Sequence, residues 1–214
     1  MSSAGVTIDE LVLADAPERW SALGFELDGD CVPLGTVRLR LAGESAGRGI
    51  ISWSLRRIAS TELDGLATSR SDSAEHAAAR EHPNGVLAVD HVVVMTPALD
   101  RSVAALQAAG LDLRRIREEP TPAGAPRQAF FRLGAEILEV VQVPEHALER
   151  GGGADAPARL WGLALIAADL DRAVAALGEH AGAPRDAVQA GRRIATIKRS
   201  AGLAVPVALM SAKP

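Results

Sequence analysis

Apolar and polar positions follow the same pattern twice in the C-terminal part of the chain. Residues 89–110 read VDHVVVMTPALDRSVAALQAAG, and residues 160–182 read LWGLALIAADLDRAVAALGEHAG. Each segment begins with an apolar run, passes a short polar corner and continues in an alanine-rich stretch with apolar residues at helical spacing. The pattern predicts a strand followed by a helix in each segment, and therefore an internal repeat.

The ends of both predicted helices carry the expected signals. Asp100 and Asp171 fall in the first turn, where a negative charge interacts favourably with the exposed amides and the helix dipole. Gly110 and Gly182 follow the alanine-rich stretches, and glycine after a helix adopts the left-handed conformation without a Cβ penalty. We expect the two helices to end there.

Three strand-like runs follow each predicted helix. They read LDLRRIRE, RQAFFRL and EILEVVQV after the first helix, and APRDAVQA, RRIATIKR and LAVPVALM after the second. Glycines and a loop rich in proline and glycine separate them. Each segment therefore has the order βαβββ, and we place the two modules at residues 86–145 and 158–214.

The N-terminal part contains a third, shorter copy, in the order VTIDELVLA, APERWSALGF, ELDGDCVPLG and TVRLRLAG. A fourth start follows, with GIISWSLRR as a strand candidate and STELDGLA as a short helix candidate. The polar stretch 69–85 has the composition of a connector. We therefore predict a boundary near residue 85, with a degenerate half and connector at 1–85 and a domain of two modules at 86–214.

The string VDHVVVMTPALDRSVAALQAAGL resembles the opening of a module of the glyoxalase/bleomycin-resistance/dioxygenase family, the vicinal-oxygen-chelate (VOC) superfamily. GAEILEVVQVPE resembles the closing strand of that family, and the chain is similar to uncharacterised glyoxalase-like proteins of high-GC bacteria. The resemblance implies an α+β fold in which repeated βαβββ modules pair into an open, barrel-like cup. The cavity of such a cup holds a metal or another ligand.

The resemblance also implies a metal site with one ligand from the first strand and one carboxylate from the last strand of each module. Here the first full module offers His91 and Glu139, which suit a divalent ion such as Zn, Ni, Mn, Fe or Mg. The second offers Gly162 in place of the histidine, and its closing segment 203–211 has no His, Asp or Glu. Half of the ligand set is therefore missing.

The N-terminal copy does not complete this set. Glu10 is the counterpart of His91, but Arg40 lies about where Glu139 lies in the later module, and a cation there would repel a metal.

His91 and Glu139 are also the candidate catalytic residues, as a proton-transferring pair. Each has a second interpretation: a lone strand histidine is often a hydrogen-bonded structural residue, and Glu139 could lie on a solvated strand face. For substrate binding we select four residues, Gln128, Phe130, Arg193 and Lys198. The two cations could instead be solvated edge charges, and the phenylalanine could be core packing.

Composition narrows the class of partner. The net charge is −4, the pI is about 5.8 and aromatic residues are 3% with no tyrosine, so we expect no nucleic-acid partner. We expect no membrane segment either, because no apolar run is long enough and the first residues lack the order of a secretory signal. The single cysteine, Cys31, agrees with a cytoplasmic location and is more simply structural.

These observations lead to three hypotheses. The first is a glyoxalase-like enzyme of lyase or isomerase type, acting on a small oxygen-rich or acidic metabolite with His91 and Glu139 at the cavity. The alternative is a metal-free protein of the bleomycin-resistance type, which binds and sequesters a small molecule. The third is an interaction protein whose N-terminal half covers or replaces a dimer partner. We keep a homodimer of the chain as an alternative assembly.

Overall fold

A computed structural model describes residues 5–76, 81–121, 124–149 and 152–212. Within them the chain forms four consecutive segments, which we call modules 1 to 4. Module 1 contains β1 (Thr7–Leu13), α1 (Pro17–Ala22), β2 (Cys31–Leu34) and β3 (Val37–Leu41). Module 2 contains β4 (Ile50–Arg56) and β5 (Thr68–Ser71). Module 3 contains β6 (Val86–Thr96), α2 (Leu99–Ala108), β7 (Asp112–Arg117), β8 (Gln128–Leu133) and β9 (Glu136–Gln142). Module 4 contains β10 (Arg159–Ala167), α3 (Leu170–Leu177), β11 (Arg185–Asp186), β12 (Arg193–Thr196) and β13 (Val207–Ser211).

The strands form two mixed sheets with related topology. One has the order β2-β3-β1-β4-β5, and the other has the order β11-β12-β13-β10-β6-β9-β8-β7. In modules 3 and 4 the first strand is parallel to the last, and the remaining two strands follow antiparallel. The strands present in modules 1 and 2 follow the same rule, since β1 is parallel to β3 and β4 to β5. The predicted α+β architecture of repeated βαβββ modules is thus confirmed.

Module 2 differs from its prediction. Residues 60–67 form an irregular segment with a turn at 64–65 instead of a helix, because Asp64 (φ 53°) and Gly65 (φ 83°) both adopt the left-handed conformation, which interrupts a right-handed helix. β5 lies partly inside the stretch that we predicted as a connector. Residues 77–80 of that predicted connector lie outside the described part of the chain.

The helix ends follow the predictions with one exception. Asp100 and Asp171 do lie in the first turns of α2 and α3, and Gly110 has a φ of 93° after α2. In α3 the side chain of Asp169 caps the helix by accepting hydrogen bonds from the backbone N–H groups of residues 171 and 172. That helix ends at Leu177, not at Gly182, because Gly178 already takes a φ of 56°.

Two compact units are distinguished by the density of their internal contacts. Unit 1 comprises Met1–Ile8, Ser52–Ser73 and His91–Trp161, and unit 2 comprises Asp9–Ile51, Ala74–Asp90 and Gly162–Pro214. Each unit therefore combines segments that are distant in sequence. The predicted boundary near residue 85 concerns the succession of modules along the chain and stays a prediction.

Each unit has its own apolar core. In unit 1, one face of β6, β8 and β9 is fully buried through Val92, Val94, Phe131, Leu138 and Val140. In unit 2, Trp20 is fully buried and its ring meets that of Phe25 edge-on at 4.9 Å. None of the helices in the described ranges is long and apolar enough to cross a membrane.

Candidate functional site

The register of β6 and β9 brings His91 and Glu139 together in unit 1. The two strands are parallel, and Glu139 pairs directly with Val93, which shares a strand face with His91 because side chains alternate along a strand. Nε2 of His91 lies 3.4 Å from Oε2 of Glu139. Their side chains are 16% and 19% exposed, so both are largely covered but neither is fully buried.

Gln128 supports this pair from the neighbouring strand. Its side-chain amide donates a short hydrogen bond to Oε1 of Glu139, and Gln128 itself is buried. The carboxylate is therefore held by one oxygen, while its other oxygen faces His91. A hydrogen bond of this kind orients a carboxylate without neutralising it. The sequence analysis selected Gln128 only for substrate binding, and that role stays a prediction; its contact with Glu139 is a finding of the structure.

The face that carries these residues is partly open. Phe130 lies opposite Glu139 in the antiparallel register and is half-buried. Next to the polar residues, Val93, Val141 and Ala125 form a small apolar cluster, with Met95 packed against it. The site therefore combines a polar centre with an apolar wall, as small-molecule sites commonly do.

Arg115 is a further member of this face, which the sequence analysis did not select. Its guanidinium lies over the Phe130 ring, with Cζ 5.0 Å from the ring centroid. Strict alternation from the Leu113–Phe131 pair would place Arg115 opposite Ala129. A register shift between Leu113 and Arg115 places it opposite Phe130 instead. The pattern of LDLRRIRE alone contains no signal for that bulge.

The two other predicted substrate-binding residues belong to unit 2. The guanidinium of Arg193 forms two hydrogen bonds with the carboxylate of Asp171, at 2.7 and 3.1 Å. This contact lowers the pKa of Asp171 below its ordinary value and raises that of Arg193. Lys198 Nζ donates to the carbonyl oxygen of Glu179 at 3.0 Å. Both side chains thus contact α3 or the turn that follows it, and their binding roles stay predictions.

Comparisons with solved structures identify known proteins that share this fold. No protein-family model matches the chain, and no curated protein sequence matches it. Among solved structures, the methylmalonyl-CoA epimerase from Mycobacterium tuberculosis is similar, with 20% identity, a TM-score of 0.50, and coverage of 65% of this chain and 97% of the epimerase. A xylose isomerase-like TIM barrel/4-hydroxyphenylpyruvate dioxygenase fusion protein is similar at 13% identity and a TM-score of 0.62. This second match covers 96% of this chain and 49% of the fusion protein.

The chain has the vicinal-oxygen-chelate fold. At these identities the two similarities establish the fold alone. Any chemical role has to be argued from the residues of this chain.

The residues of this chain do not fit a metal ion held by the protein alone. In the described ranges, no group of three or more His, Cys, Asp or Glu side chains is arranged to hold one. His91 and Glu139 are two adjacent donors, and the amide of Gln128 occupies one oxygen of the carboxylate. Two protein ligands leave a divalent ion largely hydrated and weakly bound.

Proposed function

We propose that unit 1 acts on a small oxygen-rich or acidic metabolite by proton transfer, as an enzyme of the isomerase or lyase type. The observation that supports this most directly is the pairing of His91 with Glu139 on a partly open strand face. A carboxylate and an imidazole at this separation are a common pair of groups for general acid–base catalysis. The vicinal-oxygen-chelate fold is compatible with such chemistry and does not specify it.

In the proposed reaction, Glu139 removes a proton from a carbon next to a carbonyl group. The electron pair of the C–H bond moves to form a C=C bond, and the carbonyl π electrons move onto oxygen, which gives an enolate. His91 stabilises that oxygen by donating a hydrogen bond. Return of the proton to carbon restores the carbonyl group, so that the net reaction needs no oxidant or further reactant.

Arg115, together with Phe130, is the proposed binding site for the acidic group of the substrate. The guanidinium lies over a ring that is one strand away from Glu139. A planar guanidinium can bind a carboxylate through two parallel hydrogen bonds. A small acid held there would place its reactive carbon toward Glu139, which supports an acidic metabolite as the substrate class.

Hydrogen exchange in D2O tests this function. The protein is incubated with pyruvate, 2-oxobutyrate or oxaloacetate, and loss of the carbon-bound proton signals is followed by NMR. We expect exchange with at least one acid and a loss of about a hundredfold or more in Glu139→Gln. Glu62→Gln, which removes an exposed carboxylate of the same unit, is the matched control. Rates that equal the buffer background, or that are the same in Glu139→Gln, would contradict the proposal.

The lack of a third metal ligand in the described ranges favours a second function, metal-free binding and sequestration of a small molecule. Thermal unfolding with the same acids separates the two. Under the binding hypothesis, an acid stabilises the protein, the stabilisation is lost in Arg115→Gln, and no hydrogen exchange occurs. Elemental analysis of the purified protein accompanies this measurement: a stoichiometric metal that is lost in His91→Ala would contradict the metal-free function.

A further inference from the structure

Two arginines of β7 lie on the sheet face that carries the candidate site. Arg115 pairs directly with Phe130 in the antiparallel register of β7 and β8. Two positions further on, Arg117 pairs directly with Gln128. Directly paired residues share a face of a sheet, and the pairing of Phe130 with Glu139 continues this face to β9. The two arginines are therefore neighbours on the face of Glu139, with their Cα atoms about 7 Å apart.

Both guanidinium groups have donors that the described part of the chain does not use. Arg115 is exposed, and its side chain contacts the ring of Phe130 without a hydrogen bond or an ion pair to any described residue. Arg117 has one ion pair, in which Nε lies 3.9 Å from Oε2 of Glu119, and the side chain of Glu119 is 80% exposed. An exposed pair at this distance is weak because water screens it, so a ligand carboxylate can replace Glu119.

The other arginines of the same segment are held by carboxylates. Arg114 donates to the carboxylate of Asp112 at 3.1 Å. Arg127 forms four hydrogen bonds with two carboxylates, at 2.6 to 3.1 Å. Of the four arginines between residues 114 and 127, Arg115 and Arg117 are thus the two without a hydrogen bond to a described residue.

We propose that the substrate is a dicarboxylic acid, with one carboxylate bound by Arg115 and the other by Arg117. A planar guanidinium binds a carboxylate through two parallel hydrogen bonds. A monocarboxylate would leave one of the two guanidinium groups without an anion. The inference rests on the function proposed above, because it names the substrate class of the same site.

The positions of the two arginines also fit the proposed reaction. Phe130 lies between Arg115 and Glu139 in the ladder, and Gln128 lies opposite Arg117 and donates to Glu139. When both acidic groups of a ligand are bound at β7, the carbon chain between them faces β9. In a 2-oxo dicarboxylic acid, the C–H groups next to the ketone lie between the two carboxylates. The proton that Glu139 removes is therefore on the part of the ligand that faces it.

Titration calorimetry of the full chain, at constant ionic strength set with KCl, tests the substrate class. The probes are 2-oxoglutarate and 2-oxobutyrate, which both have a CH2 group next to a ketone and differ in the second carboxylate. We expect 2-oxoglutarate to bind about tenfold or more tightly, because a second charged pair forms. Exchange of the CH2 protons in D2O, followed by NMR with the same two acids, reports separately on the proposed reaction.

Three variants make the binding test specific. Arg117→Gln should lower the affinity for 2-oxoglutarate to about that for 2-oxobutyrate, because the second cation is gone. Glu119→Gln should raise the affinity for 2-oxoglutarate several-fold, because it removes the carboxylate that competes for Arg117. Arg114→Gln removes the same charge from the same strand and should keep the preference for 2-oxoglutarate.

The outcomes distinguish this inference from the function on which it rests. No binding of 2-oxoglutarate, equal affinities for the two acids, or the same preference in Arg117→Gln as in Arg114→Gln would overturn the dicarboxylate inference, even if both acids exchange their protons. Preferential binding of 2-oxoglutarate that depends on Arg117 supports the inference. If that binding occurs without proton exchange, the proposed reaction is wrong and the two carboxylate positions still stand.

Discussion

Glu10 and Arg40 form an ion pair across β1 and β3 at the same register positions that His91 and Glu139 occupy across β6 and β9. Nε of Arg40 lies 2.9 Å from Oε1 of Glu10. In both pairs, the last-strand residue lies two positions beyond the direct partner of the first-strand residue. The hydrogen bond to Glu10 raises the pKa of Arg40, so this position stays cationic. Module 1 thus repeats the geometry of the candidate site with a charge that repels metal ions, as the sequence alignment predicted.

His82 is expected to be a structural residue of unit 2. Its ring is buried, with Nδ1 accepting from the backbone N–H of Glu26 at 3.0 Å and Nε2 donating to the carbonyl oxygen of Pro33 at 2.8 Å. Its ring also meets that of Phe25 edge-on at 5.4 Å. His82→Ala should therefore lower the free energy of unfolding by about 2–4 kcal/mol, from the lost hydrogen bonds and the cavity left behind.

Urea denaturation of His82→Ala measures this loss, and His146→Ala is its control because His146 is exposed. A change below about 0.5 kcal/mol in His82→Ala would show that the histidine has no structural role.

Two neighbouring arginines should differ in their contribution to stability. Arg192 and Asp90 form an ion pair at 2.8 Å with side chains only 3% and 5% exposed, and Arg192 also donates to the carbonyl oxygen of Ser211. Arg192→Gln should cost about 3–5 kcal/mol, because it leaves a buried carboxylate without its cation. Arg193→Gln should cost much less than Arg192→Gln, because its ion pair with Asp171 is exposed and screened by solvent.

A double-mutant cycle with Asp90→Asn completes this comparison. We expect the double variant Arg192→Gln/Asp90→Asn to be more stable than the sum of the single losses predicts, because it leaves no unpaired charge. Additive losses would mean that the two side chains do not interact.

Asp15 should make the stability of unit 2 depend on pH. Burial raises the pKa of its carboxyl group, although the backbone N–H of Ala204 donates to Oδ1 at 2.6 Å. Oδ2 is buried and has no hydrogen-bond partner within the described residues. The folded chain therefore binds this proton more tightly than the unfolded chain, in which the pKa is about 3.9. This contribution to stability is fully present below pH 4 and is lost as the pH rises through the folded pKa.

Urea denaturation between pH 4 and pH 7 measures this dependence as the difference between the native chain and Asp15→Asn, which cannot ionise. We expect the stability of the native chain to decline relative to that of the variant as the pH rises. Parallel profiles for both proteins would contradict the raised pKa.

Local signals in the sequence were sufficient to predict most of the helices and strands in their observed order. The alternation of apolar residues, the first-turn aspartates and Gly110 predicted modules 3 and 4 in the observed order. The proximity of His91 and Glu139 was expected from the resemblance, which implies that the first and last strands of a module supply neighbouring side chains, and the parallel pairing of β6 with β9 agrees with it. Module 2 was harder, because β5 consists of polar residues that resemble a connector, and only its pairing with β4 makes it a strand.

The amino-acid pattern by itself determined the succession of modules, because hydrophobic periodicity and helix-end residues act over a few neighbouring positions. Tertiary structure alone decided which arginines meet which partners. A bulge in β7 turns Arg115 toward Phe130, and burial beside Asp90 separates Arg192 from the exposed Arg193. Such outcomes depend on strand register and on contacts between distant segments, and a one-residue shift moves a side chain to the opposite face of a sheet.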